Sequence, residues 1–232
     1  MGKKTPADDE NDNIYTRAAS NLKQWLNDEI LLEDKSPALY IYEQKFKYKG
    51  KQLRRKGFIG LIKINGNGLI KVHENTFQAP KDDRMALLKA TQTNTEPIFM
   101  IYSGDAVSIP ELEPLICTKD ENGVTHNLWR IDNQQEIFSF CQEMQNTDFY
   151  IADGHHRYET SRDYAKEMKV NPLSDDPRNY VMSYFVEEQD NGLLILPIHR
   201  QLNISDDDID HILKTAKKYF LIVEVDSFEK IE

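Results

Sequence analysis

Two cysteines, Cys117 and Cys141, are all that the 232 residues contain. They stand far apart and form no CxxC pair, so neither a disulfide framework nor a zinc ribbon is expected. The chain shows no secretory pattern at its start and no apolar run of membrane length. A cytoplasmic protein without a membrane partner is the expectation, and the Asn203-Ile204-Ser205 sequon then carries no meaning. Basic residues are in deficit, with 29 Lys plus Arg against 39 Asp plus Glu and a net charge of −10. That balance argues against nucleic acid as a partner while leaving room for a local basic pocket. Internal repeats are absent too. The length suffices for a sizeable core in one large domain or two small ones.

Residues 1–12 are polar and charged with no apolar period, and they read as a disordered leader. From residue 13 to 232 the pattern reads as a single α+β domain. Ile14, Ala18, Leu22, Trp25 and Leu26 recur at helical spacing. Leu39–Tyr42 and Gly57–Ile64 read as strands. Asn65-Gly66-Asn67-Gly68 has the composition of a hairpin turn, with Leu69–Val72 as its returning strand. A helix is expected over Lys81–Thr93 and a short apolar run over Pro97–Tyr102, followed by a loop from Ser103 to Gly123. Leu128–Ile131 reads as a strand and Gln134–Gln145 as a helix. Tyr180–Val186 and Leu193–Leu196 read as paired strands around Asp190-Asn191-Gly192. Ser205 caps a helix over Asp206–Tyr219, and Phe220–Val225 reads as a last strand. Hairpins mixed with crossover helices give an α+β fold with a mixed sheet. No regular βαβ series supports a doubly wound one.

Chemistry concentrates at Asp153-Gly-His-His-Arg-Tyr-Glu159. The run follows the apolar Phe149–Ala152 and precedes a helical pattern (Tyr158, Ser161, Ala165, Met168). That order puts Asp153 near an N-cap and His155, His156 and Arg157 in a first helical turn. A helix start offers unpaired N–H groups and the positive end of the dipole, where anions bind. Cationic side chains there oppose the dipole, and a bound phosphate would account for them, with Arg157 as a fork-shaped donor and the imidazoles as further donors. The competing reading is a capped helix whose histidines and arginine are solvated or paired with carboxylates.

The chain has six histidines. His73 stands before Glu74 at the end of the predicted hairpin strand, and His199 stands before Arg200. A carboxylate at a strand end can serve as a general base that a histidine positions; a solvated strand end is the plainer alternative. His73, Glu74, Asp153, His155 and His156 could be read as metal ligands. They lack the spacing of zinc peptidases, and adjacent histidines point apart on a helix, so no protein-held metal is predicted. Mg²⁺ arriving with a nucleotide is compatible with them.

The motif Asp153-Gly-His-His-Arg-Tyr-Glu-Thr160, preceded by Tyr150-Ile-Ala, resembles the signature of a bacterial and archaeal family, domain of unknown function ten-fifteen. Pro37-Ala-Leu-Tyr-Ile-Tyr-Glu-Gln44, Gly57-Phe-Ile-Gly60, His73-Glu-Asn-Thr76, Pro80-Lys-Asp-Asp-Arg84, Pro97-Ile-Phe, Leu128-Trp-Arg130 and Leu196-Pro-Ile-His-Arg200 resemble the same family in the same order. Members usually begin with a longer segment holding a Pro-Pro-Tyr-Asp element and run well past residue 232. The resemblance therefore implies a domain incomplete at both ends.

The motif is also similar to that of the ParB/sulfiredoxin-like superfamily, which implies a core of that type with nucleotide phosphates held at a helix start. Free serine kinases of this superfamily, which phosphorylate L-serine with ADP or ATP, share the order of an upstream His-Glu, a helix, a Pro-Ile strand and an Asp-Gly-His-His-Arg turn. Here the connection from Tyr102 to Asp148 is long where theirs is short. The resemblance implies ATP or ADP with Mg²⁺ as cofactors and a small hydroxyl compound, such as serine, as acceptor. It makes Glu74 the base, with His73 beside it, and puts Asp153 near Mg²⁺ or the acceptor. Gly154, His155, His156 and Arg157 would hold phosphate, with His199 and Arg200 as further contacts. Its alternative is a nucleotide-binding switch or adaptor of the ParB-like type that transfers nothing.

Overall fold

The structure, a computed structural model, describes residues 4–64, 69–105, 107–196 and 203–227. The chain separates into two compact units, 1–193 and 194–232. In the first unit, α1 (Ile14–Asn27) starts at Asn13, whose side chain accepts from the Tyr15 and Thr16 N–H groups. The Thr16 hydroxyl accepts in return from the Asn13 N–H, which completes a capping box. Ahead of it, Asp8 and Asp12 both pair with Arg17.

There follow β1 (Leu39–Tyr48), β2 (Lys51–Lys63), β3 (Ile70–Lys71), α2 (Gln78–Thr91), β4 (Ile98–Tyr102), β5 (Ile116–Lys119), β6 (Thr125–Ile131), α3 (Gln134–Glu143), β7 (Phe149–Asp153), α4 (His155–Glu167) and β8 (Tyr180–Glu187). The eight strands form one mixed sheet in the order β3-β7-β4-β8-β2-β1-β6-β5. Pairing is parallel between β3 and β7 and between β4 and β8, and antiparallel elsewhere. This is the α+β fold with a mixed sheet that the sequence pattern predicts.

Register builds the core. Trp129 lies opposite Ile41, Ile41 opposite Phe58, Phe58 opposite Phe185, and Phe185 opposite Met100, so one buried row crosses β6, β1, β2, β8 and β4. Phe140 of α3 packs edge-on against Phe58 with ring centroids 4.7 Å apart. The row is tight enough that a Cβ on Gly57 would come within 2.0 Å of the Phe185 carbonyl oxygen. Glycine at that position is a packing requirement.

Four expectations are overturned. The segment after Asn65–Gly68 does not return along β2, because β2 already has β1 on one edge and β8 on the other; β3 pairs instead with β7. The turn residues 65–68 lie outside the described residues. Leu193–Leu196 is no strand, and β8, held between β4 and β2, has no edge left for a hairpin partner. The loop expected over Ser103–Gly123 contains β5, which pairs with β6. In the second unit, Ser205 caps α5 (Asp206–Ala216) by accepting from the Asp208 N–H, but Phe220–Val225 forms no strand. An apolar run becomes a strand only where a neighbour can pair with its backbone.

Candidate functional site

Parallel pairing of β3 with β7 decides what meets at the start of α4. Lys71 lies opposite Tyr150, and parallel strands deliver their following residues to the same end of the sheet. Residues 72–77 therefore run beside the turn that follows β7. Asp153 ends β7, Gly154 turns the chain with φ +102°, and His155 opens α4. With glycine at the cap position, no side chain caps the first turn of α4.

The segment is tied to one flank of this helix. The His155 ring is 2% exposed and meets the His73 ring edge-on at 4.6 Å. Its Nε2 accepts from the His73 N–H at 3.5 Å, which leaves the ring proton on Nδ1. That atom lies 3.0 Å from Glu74 Oε2, without the alignment of a full hydrogen bond. His156 Nε2 accepts from the Phe77 N–H at 3.2 Å. One turn on, Glu159 accepts from the Thr76 hydroxyl and pairs with Lys81 at 3.2 Å, and Lys81 also reaches Asp163 at 3.7 Å.

Burial lowers the His155 pKa, and the adjacent His73 lowers it further, against weaker opposing effects of Glu74, Asp153 and Glu159. A neutral imidazole behind a carboxylate is the result. The Glu74 side chain is 55% exposed, so it can meet a ligand while the His155 ring lies behind it. The Thr76 hydroxyl, followed by Lys81, holds the Glu159 carboxylate below its ordinary range.

Arg157 faces another way. Its Nη1 donates to the Pro97 carbonyl at 2.6 Å and lies 3.3 Å from Glu96, while Nη2 pairs with Asp153. The fork read from sequence as a phosphate clamp is thus engaged by two carboxylates and a carbonyl. A ligand at the helix start would compete with Asp153 for it.

The structure brings together His73, Glu74, Asp153, Gly154, His155, His156 and Arg157; His199 and Arg200 lie outside the described residues. Among the described residues, no group of three or more His, Cys, Asp or Glu is arranged to hold a metal ion. The uncapped first turn suits a phosphate group. Thr76, Lys81, Glu96 and Glu159 were missed as site residues. Glu159 and Thr76 stand inside the motifs that named the site, but their partnership is long-range and leaves no local signal.

A family described as protein of unknown function (DUF1015) matches residues 2–231. The chain belongs to this family. No curated protein and no solved structure matches the chain. Membership in DUF1015 assigns no reaction, and it does not reach to the ParB/sulfiredoxin-like superfamily or to the free serine kinases. No helix among the described residues is long and apolar enough to cross a membrane.

Proposed function

We propose that the β7–α4 turn and the His73-Glu74 segment form the active site of a nucleotide-dependent phosphotransferase whose acceptor is a small hydroxyl compound such as serine. One observation carries the reading. An exposed carboxylate, Glu74, stands 3.0 Å from a buried imidazole beside the uncapped start of a helix. A hydroxyl needs a base that is both accessible and fixed, and phosphoryl transfer otherwise needs chiefly charge stabilisation and alignment.

Bound ATP or ADP would supply the phosphoryl group, and Mg²⁺ arriving with it would offset charge. The chain's own residues do the rest. First-turn N–H groups of α4 receive phosphate oxygens with the helix dipole behind them. Glu74 accepts the acceptor's hydroxyl proton as the oxygen bonds to phosphorus and the bond from phosphorus to the nucleotide's bridging oxygen breaks. The His155 Nδ1–H steadies the carboxylate and, being neutral, leaves it basic. Arg157 holds Asp153 at the rim of the turn, where Asp153 can orient the acceptor or a nucleotide-borne cation. Likeness to the free serine kinases supports these roles, as does the order of motifs along the chain.

The alternative is a ParB-like switch that binds nucleotide and transfers nothing, and such a switch has no use for an exposed base beside its phosphate turn. The test is a thermal-shift panel of nucleotides with Mg²⁺, followed by a transfer assay from ATP or ADP to serine and other hydroxyl compounds. Nucleotide-dependent stabilisation with transfer to a hydroxyl is expected. Stabilisation without transfer to any acceptor points to the switch, and no stabilisation by any nucleotide removes both readings.

A further inference from the structure

Successive residues of an α-helix are about 100° apart, so Arg157, Thr160 and Ser161 lie on a different flank of α4 from His155 and Glu159. That flank faces α2 and the connection from Thr93 to Glu96 across a cavity of about 60 Å³. Its polar lining includes Arg84, Asn94, Thr95, Arg157, Thr160 and Ser161. Thr160 is 2% exposed, and its hydroxyl is buried with no aligned hydrogen-bond partner. A helical threonine ordinarily returns its hydroxyl to a carbonyl one turn back. Thr91 of α2 does so, donating to the Leu87 carbonyl at 2.9 Å; Thr160 does not. A buried hydroxyl left without a partner is costly, and it marks a place for a bound group.

We propose that this cavity binds one small tetrahedral oxyanion, inorganic phosphate being the ligand tested. Arg84, which also pairs at 2.9 Å with the exposed Asp83, and Arg157 supply the positive charge, and the hydroxyls of Thr160 and Ser161 supply neutral donors. The volume is of the order of a small ion and far below the roughly 300–1,000 Å³ of pockets that take drug-sized or cofactor ligands. Glu96 also lines the cavity, pairing with Arg157 at 3.3 Å. Its side chain is 60% exposed, so an entering anion replaces it on the guanidinium and releases it to solvent. The site stands on different side chains from the proposed base and does not depend on phosphotransfer.

The experiment is calorimetric titration of the whole chain with inorganic phosphate, at ionic strength matched with chloride. Sulfate and phenyl phosphate serve as further arms, the latter presenting the same group on a larger body. Saturable phosphate binding is expected, weakened at least ~10-fold by Arg84→Gln, since a hydrogen bond from a charged donor is lost. Thr160→Val, of nearly equal shape, should weaken binding about 3- to 10-fold while leaving the unliganded protein at least as stable. Phenyl phosphate binding as tightly as phosphate would mean that the site takes the phosphate end of a larger molecule and would overturn the free-ion assignment. Phosphate binding that both variants retain lies elsewhere, at the first turn of α4, and overturns the site. No phosphate binding by the parent at millimolar concentration leaves a cavity for water alone and overturns it as well.

Discussion

Replacing Gly154 by alanine asks how much the turn between β7 and α4 depends on the absence of a side chain. Gly154 has φ +102° and ψ 25°, a region that costs an L-residue of order 1–3 kcal/mol. A Cβ there also comes within 3.0–3.1 Å of the Arg157 guanidinium. The guanidinium can yield, since it is the far end of a flexible side chain, but its bond to the Pro97 carbonyl is then at risk. Losing a charged hydrogen bond costs roughly 1.5–3 kcal/mol. The pairs with the exposed Asp153 and Glu96 add little. Gly154→Ala should therefore cost about 1–3 kcal/mol if Arg157 keeps Pro97 and roughly 2.5–6 kcal/mol if it does not. Urea unfolding followed by tryptophan fluorescence reads this directly, because Trp25 and Trp129 both belong to the unit 1–193. The midpoint should fall with the slope unchanged. Gly154→Asn should cost less, as asparagine tolerates positive φ better. In an Arg157→Gln background the crowding contribution should disappear, leaving the backbone cost alone. A Gly154→Ala protein within about 0.5 kcal/mol of the parent would refute both the strain and the crowding.

Further outcomes follow from buried charge. Burial sets the folded-state pKa of His155 below its ordinary value of 6.5, so the unfolded chain binds the proton more readily. The stability this group permits is complete above about pH 6.5 and is lost as pH falls from there toward the folded-state pKa. His155→Gln should flatten the parent's loss of stability as pH falls below about 6.5, and an unchanged slope would contradict the assignment. Glu43 in β1 is 2% exposed, accepts from Asn127 at 2.9 Å and lies 3.2 Å from Lys45 and 3.4 Å from Arg54. Lys45 and Arg54 are 47% and 55% exposed, so Glu43→Ala leaves chiefly the buried Asn127 amide unpaired and should destabilise by roughly 1–3 kcal/mol, and Glu43→Gln by distinctly less, because the amide still accepts from Asn127. Equal urea midpoints for the two variants would show that the Asn127 bond contributes nothing.

What was legible in the sequence is what local chemistry writes. The apolar run into Gly154 and the helical spacing after it mark β7, its turn and α4, and Ser205 before an acidic run marks the start of α5. The hairpin between β1 and β2 was hidden, because its turn is Lys49-Gly50 and its strands carry Lys45, Lys47, Lys51, Arg54, Arg55 and Lys56. Charged residues on a half-buried strand mask the alternation that announces one. Asn65–Gly68 misled for a related reason. Turn composition carries no information on the partner strand, which is set by which edges remain open. At the site, the motifs named His73, Glu74 and Asp153–Arg157, and the parallel β3–β7 pair brings them together. The destination of the Arg157 fork was not legible, since Glu96 and Pro97 arrive from 60 residues away in sequence.

Glu74 remains the residue on which enzyme and switch part company. Glu74→Gln keeps size and most hydrogen-bonding capacity but cannot accept a proton at neutral pH, and it removes a negative charge from beside the phosphate turn. The decisive measurement follows nucleotide affinity and phosphoryl transfer to a hydroxyl acceptor on the same preparation of parent and variant. The expected result is affinity unchanged or slightly tighter, with transfer reduced by roughly 10²–10⁴-fold. Transfer that survives at the parental rate, or a parent that binds nucleotide and phosphorylates no acceptor, would contradict Glu74 as the base.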